Sequence, residues 1–494
     1  MALRPLRTLG AGDLTRRRGR ADTRPQTPVA APAPDGELRF ARAWLFVFAL
    51  AGPLVLALGG FVGSGVRGPS WPELLAETPV RGGIVAADGT VLAEGPAEGR
   101  SYPQGTLAAQ LLGFSGAEQP DGRFGLEGLE RELDAQLQAG RDVRLTLDPA
   151  LQSISQTELA RAARLHGATN GVMVMLEART GRVLATASYP EFDPNAQSEV
   201  ENRSAIRNDP FLAAVEPGSI MKPLVVAALL QDRKLLPDEV LAVEPTRRVG
   251  DKTFADVSAH EPRLAVRDIL RVSSNVGMIE LGERLSSPEL AAWFGRYGFG
   301  ESLGTRAAPN APGIVNPPET WVPQDHASAV IGQSMAATAL QLAAAYNVVA
   351  GDGRYVTPQV LEAAVGTGPA RQVLRPEVAE TVRGMLAYTV ENSGLRDAKI
   401  PGVTVAGKSG SADLYDTERG EYIDAGTLSF AGMFPAERPR VVGVMYLQRV
   451  KEKGALSVSV TAPAFRAVGS QAVALWDEAA LEGRAAQPVN TSGE

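Results

Sequence analysis

The apolar residues of this chain repeat in several distinct rhythms. Between Gly171 and Pro190, "GVMVMLEARTGRVLATASYP", two apolar runs flank Arg-Thr-Gly, which predicts an antiparallel hairpin around a tight turn. Apolar strands return far downstream in "VTVAGKSGSA", "LSFAGMFPA" and "RVVGVMYLQ", all between Val403 and Gln448, and the chain between the two groups reads as mostly helical. Strands at both ends of a domain with helices between them predict an α+β fold whose sheet is completed by distant segments. Upstream, "RGGIVAADGTVLAEG" (Arg81 to Gly95) predicts a hairpin around Asp88-Gly89 and marks a small strand-rich module ending at Asp148. Asp148 is a ready N-cap and Pro149 a good first helical residue, so a helix there opens the main domain.

A longer uncharged run, "AWLFVFALAGPLVLALGGFVGSGV" (Ala43 to Val66), is long enough to cross a ~30 Å hydrocarbon core at about 1.5 Å per residue. Nine arginines against four acids precede it, a charge of +5, and the remaining 452 residues of this chain of 494 carry -12. The basic side is expected in the cytoplasm and the acidic bulk outside it. The run exceeds the 7–15 apolar residues of a cleaved signal peptide, so it reads as a retained signal anchor. The organisation expected is a basic disordered tail over 1–42, a transmembrane anchor over 43–66, a membrane-proximal pedestal over 67–148, the main domain over 149–480 and a disordered tail over 481–494. Absence of cysteine rules out disulfides, and three scattered histidines (His166, His260, His326) argue against a zinc or iron site and give no sign of a cofactor. The net charge of -7 argues against general nucleic-acid binding.

Three short stretches carry candidate chemistry. In "VEPGSIMKPLVVAALL" (Val215 to Leu230) Ser219 stands where a hydroxyl caps a new helix, and Lys222 lies in its first turn among apolar residues. Three positions apart, the two side chains share one face. A serine cap with a snorkelling lysine accounts for this stretch as well as chemistry does. "RVSSNVGMIELGERL" sets Ser273-Ser274-Asn275 where a loop enters a helix, and "VAGKSGSAD" sets Lys408, Ser409, Gly410 and Ser411 at the end of an apolar strand. Lysine is rare here, seven against 42 arginines, and only Lys222 has a serine three residues before it. Lysine, unlike arginine, is driven neutral by burial and nearby positive charge, so a neutral Lys222 facing Lys408 is able to take the Ser219 proton.

Ser-x-x-Lys, Ser-x-Asn and Lys-Ser/Thr-Gly in this order form the signature of penicillin-binding proteins and class A β-lactamases. With "RGGIVAADGTVLA", "GRFGLEGLERELDAQL", "GRVLATASYPEFDPN" and "FAGMFPAERPRVV", the chain after residue 40 resembles a class B penicillin-binding protein, a monofunctional peptidoglycan D,D-transpeptidase of bacterial cell division or elongation. The resemblance implies a serine β-lactamase-like transpeptidase domain, an antiparallel sheet flanked by helices, behind a β-rich pedestal and a single transmembrane helix in the cytoplasmic membrane. It also implies that Ser219 attacks the D-Ala-D-Ala carbonyl of a stem peptide, with Lys222 as general base, Ser273 as proton relay and Asn275 on the substrate amide. Lys408, Ser409 and Ser411 would hold the terminal carboxylate, with Gly410 between them. The amides of Ser219 and Ser411 would form the oxyanion hole. β-Lactams are the implied covalent inhibitors, and a polytopic glycosyltransferase of the shape, elongation, division and sporulation family is the implied partner.

Three features depart from the family pattern. Ser409 and Ser411 replace threonines, Ser334 in "GQSMAAT" replaces a more usual glycine, and the pedestal is short. A D,D-carboxypeptidase or β-lactamase of the same fold, or a non-enzymatic membrane scaffold, remains open on the sequence.

Overall fold

The computed structural model describes residues 81–200, 203–306, 308–368, 370–416, 421–451 and 456–485; the anchor expected over Ala43 to Val66 lies outside them. Among the described residues no helix is long and apolar enough to cross a membrane.

The Arg81 segment forms the predicted hairpin: β1 (Ile84–Val85) runs antiparallel to β2 (Val91–Ala93), Gly89 takes the positive φ of the turn, and Asp88 Oδ1 accepts the Thr90 N–H at 2.8 Å. A third strand, β3 (Val143–Arg144), pairs parallel to β1. Three one-turn helices, Ala109–Leu112, Gly128–Glu132 and Asp134–Gln138, lie between, so the stretch expected to be strand-rich is mixed. Four buried charges tie it together. Arg81 donates to Glu130 Oε2 at 2.9 Å and to Asp134 Oδ1 at 2.8 Å, and Arg100 donates to Glu130 Oε1 at 2.7 Å. Ile84, Leu92 and Leu129 belong to the same hydrophobic cluster as the helices downstream, so no polar seam separates this part from the rest.

Helix α1 (Pro149–His166) starts as its sequence predicts, with Asp148 accepting the Leu151 N–H at 3.0 Å and Pro149 at the first helical position. It leads into β4 (Asn170–Glu177) and β5 (Val183–Tyr189), joined by a turn in which Arg179 and Gly181 both have φ near +73°. Further on come α2 (Lys222–Gln231), α3 (Asn275–Gly282), α4 (Ala339–Ala350) and α5 (Pro376–Asn392). Then β6 (Ala406–Asp416), β7 (Glu421–Phe434) and β8 (Val441–Gln448) precede α6 (Ser457–Ala485), which runs five residues into the stretch expected to be a tail.

The distant strands join into one antiparallel sheet, ordered β6–β7–β8–β4–β5, with Gly443 of β8 opposite Met175 of β4 and Lys408 of β6 opposite Ala431 of β7. Side chains alternate across a strand, and here both faces are apolar. Val172, Val174, Val442 and Val444 join the cluster containing α2 and α4, while Met173, Met175, Met445 and Leu447 join the one containing Leu159 of α1 and Phe465 of α6. Helices therefore cover both faces, which is why the strands read as continuous apolar runs instead of alternating ones. β6 lies at the edge, and it carries Lys408 to Ser411.

Candidate active site

Ser219 is not a helix cap. Gly218–Met221 is a 3-10 turn and α2 begins only at Lys222, with no side-chain cap on either. The turn is reversed by Gly218 at φ +60°, whose N–H donates to Gly332 O at 2.8 Å. Tyr346 of α4 donates to Ile220 O at 2.7 Å and Tyr297 to Leu224 O at 3.0 Å, so two buried phenols fix the turn and the helix behind it.

β6 packs directly on this turn. A Cβ on Gly410 would sit 3.0 Å from Pro217 O and 2.6 Å from Ser429 Oγ, and one on Gly218 would sit 2.6 Å from Ser411 O. Lys408 to Ser411 thus lie within the strand, not at its end; pairing with β7 starts at Ala406. Ser411 Oγ is 3.1 Å from Ser457 Oγ at the start of α6, and Ser457 also donates to Gly410 O.

The third segment comes from the turn into α3. Ser273 ends the preceding helix at φ +59°, and Ser274 caps α3 by accepting the Gly277 N–H at 2.8 Å. Lys222 Nζ, fully buried, lies 2.6 Å from Ser273 O, 2.8 Å from Asn275 Oδ1 and 3.3 Å from Ser273 Oγ. Lys408 Nζ, also buried, donates to Ser409 O at 2.8 Å and to Ser273 Oγ at 3.0 Å. One hydroxyl therefore bridges two amines. Among the described contacts Lys222 turns to Ser273 and Asn275, and no hydrogen bond joins it to Ser219 Oγ, whereas a shared helical face predicts that the two side chains meet.

Burial first, and the charge of Lys408 second, hold the Lys222 amine well below the usual lysine range, against the opposing pull of Asp256. Burial alone brings Lys408 down to about 7. A neutral amine has two N–H donors and one lone pair. The two short contacts of Lys222, to Ser273 O and Asn275 Oδ1, use both donors and leave the lone pair for a hydroxyl proton.

All eight residues singled out in the sequence therefore lie on three segments that converge. Sequence reasoning missed Ser457, which meets Ser411 across 46 positions, and the Asp256–His260 pair beside Asn275. It left Ser334 unexplained. That residue has φ +57°, the left-handed region where glycine is unstrained and an L-residue carries a cost on the order of 1–2 kcal/mol. Among the described residues no cluster of His, Asp or Glu is arranged to hold a metal.

An antiparallel sheet between helical layers, with Ser-x-x-Lys, Ser-x-Asn and Lys-Ser-Gly meeting at its edge strand, defines the active-serine penicillin-interacting class. The profile described as "Penicillin binding protein transpeptidase domain" matches residues 171–469, well over half of the chain. This chain belongs to the penicillin-binding protein transpeptidase family. It is 29% identical over 400 residues to the probable peptidoglycan D,D-transpeptidase PenA of Neisseria gonorrhoeae, covering 75% of this chain and 67% of that one. It is 31% identical to penicillin-binding protein PbpB of Mycobacterium tuberculosis, over 70% of this chain and 57% of that one. Its fold is similar to the crystal structure of apo penicillin-binding protein 3 from Mycobacterium tuberculosis, with a TM-score of 0.72 and 30% identity over 81% of this chain and 96% of that one.

Proposed function

We propose that this peptidoglycan D,D-transpeptidase works through an acyl-enzyme on Ser219. The observation that carries the reading is the Ser273 hydroxyl shared by two buried lysines, 3.3 Å from Lys222 Nζ and 3.0 Å from Lys408 Nζ. Neutral Lys222 takes the proton as Ser219 Oγ attacks the carbonyl of D-Ala-D-Ala. The peptide C–N bond then breaks, and the proton passes through Ser273 to the leaving D-alanine. An amine from a second stem peptide attacks the ester and gives its proton to Lys222, which passes it to the departing Ser219 Oγ, so the cross-link is made with Ser219 free and Lys222 neutral again. Backbone amides of Ser219 and Ser411 stabilise the oxyanion, a donor of this kind contributing ~3 kcal/mol.

Asn275 has one amide hydrogen committed to Ala255 O at 2.9 Å, so its second is the one offered to the substrate. Lys408, poised near neutrality, is recharged by the incoming carboxylate, which Ser409 and Ser411 hydrogen-bond. Penicillin mimics the dipeptide and acylates the same serine. The uncharged Ala43–Val66 run after an arginine-rich segment supports a single-pass anchor with the catalytic domain outside the cytoplasm; a polytopic glycosyltransferase working beside it is what the family resemblance implies.

Labelling the full-length protein with a fluorescent penicillin tests the reading, with intact mass and adduct decay followed alongside Ser219→Ala. A long-lived adduct absent from the variant is expected. An adduct shed within seconds makes the protein a hydrolase, and labelling that survives in the variant moves the nucleophile elsewhere.

A further inference from the structure

The hairpin formed by Thr246–Val249 and Lys252–Ala255 ends beside the Ser273–Asn275 turn. Its next residue, Asp256, reaches that turn with both carboxylate oxygens. Oδ1 accepts the backbone N–H groups of Asn275 and of Val276, the latter at 3.0 Å, which are the first two of α3. Oδ2 accepts the Ser274 hydroxyl at 2.6 Å and faces His260 Nε2 at 2.8 Å. These four donors fill the lone pairs of one carboxylate. The other nitrogen of His260, Nδ1, lies 2.7 Å from Glu261 O, so both ring nitrogens face acceptors and only the imidazolium satisfies both. Both side chains are about 4% exposed, with the Nδ1 contact to Glu261 O on the more open side.

We propose that Asp256, closed off by a cationic His260, is a positioning residue that holds the Ser273–Asn275 turn against Lys222. Neither residue touches the reacting atoms. Asp256 acts on them twice: it fixes Asn275, whose Oδ1 holds Lys222 Nζ at 2.8 Å, and it is the carboxylate whose charge reaches that amine. The charged groups acting on Lys222 are Lys408 and Asp256, and the charged group facing His260 is Asp256. The hydrogen bond to Glu261 O, ahead of that to Asp256, raises the His260 pKa, the same direction as the geometry favours. The inference rests on the acyl-enzyme reading above and adds a residue pair to it.

The test compares the full-length protein with Asp256→Asn and His260→Gln. It measures the limiting acylation rate and the half-saturation concentration for a fluorescent penicillin from pH 5.5 to 9, with thermal midpoints as control. In Asp256→Asn the limiting rate is expected to fall at least about tenfold with little change in half-saturation. The acid limb of the rate should move to lower pH, because Lys222 has lost the negative charge that favours its protonated form and stays neutral further down. His260→Gln should lose rate in the same parameter, which keeps the test open if Asp256→Asn fails to fold. Rates within about twofold of the parent in both variants, or losses that track the thermal midpoint with the acid limb unmoved, overturn the proposal. If the parent itself does not acylate, it is the acyl-enzyme reading that fails.

Discussion

Gly218→Ala separates two effects that the site combines. Gly218 has φ +60°, and a Cβ there would lie 2.6 Å from Ser411 O and 3.1 Å from Ser411 C, where ordinary contact begins at 3.4 Å. The left-handed conformation alone costs on the order of 1–2 kcal/mol. To relieve the clash, the Ser411 backbone must retreat by about 0.8 Å from the turn that carries Ser219. Ser411 supplies a proposed oxyanion donor, and a displacement of about 1 Å in a catalytic constellation costs roughly 100-fold in rate. Gly402→Ala is the control, since Gly402 has φ +75° with no atom within 4 Å of the added carbon, so it carries strain without a clash. Calorimetry and stopped-flow acylation by fluorescent penicillin measure both quantities. Both variants should lose only a few degrees in thermal midpoint. Acylation should fall roughly 30- to 100-fold in Gly218→Ala and stay near the parent value in Gly402→Ala. If the two variants acylate within about threefold of each other, the close approach of β6 to the Ser219 turn is not what sets the rate.

Ser457→Ala removes the hydroxyl beside Ser411 but leaves Gly410 O accepting from Ser429 at 3.1 Å, so folding should lose only about 1 kcal/mol. The freed Ser411 hydroxyl should raise the half-saturation concentration for penicillin a few-fold with the limiting rate unchanged; saturation kinetics decide this, and a loss confined to the limiting rate contradicts it. For Lys408, burial lowers the folded pKa from 10.5 to about 7, so between those values the unfolded chain binds more protons and stability rises with pH. Relative to Lys408→Met, the parent should therefore gain up to about 1.4 kcal/mol per pH unit above pH 7 in urea unfolding, whereas parallel pH dependences would mean that Lys408 keeps an ordinary pKa.

What was legible in the sequence was local. Asp148-Pro149 announced α1, and the Arg179–Gly181 turn announced the β4–β5 hairpin, because each signal lies within a few residues of its effect. The three motifs were legible as spacings, and the rarity of lysine marked Lys222 and Lys408 as unusual before their burial was known. The behaviour of Ser219 was not, since Gly218 reverses the chain by packing against Gly332 and Ser411, far away in sequence. Asp256 and His260 sit in "FADVSAH", which matches none of the three motifs; their importance arises only when the hairpin lays them against α3, some 20 positions on. Ser334 shows the converse: the sequence identified it as a departure, and its positive φ supplied the reason.

The quartet of Arg81, Glu130, Arg100 and Asp134 has a mechanical consequence. Force transmitted along the chain through Arg81 does not fall on the two-residue strand β1 alone, because its guanidinium is clamped to carboxylates on two successive helical turns. Buried charges are little screened by salt, and stripping one partner from such a cluster costs about 3–5 kcal/mol. The junction should therefore hold rigidly up to a threshold and then give way at once, behaving as a shear pin and not as a spring. Pulling on the N-terminal side would move the whole folded body before it stretched the first strand.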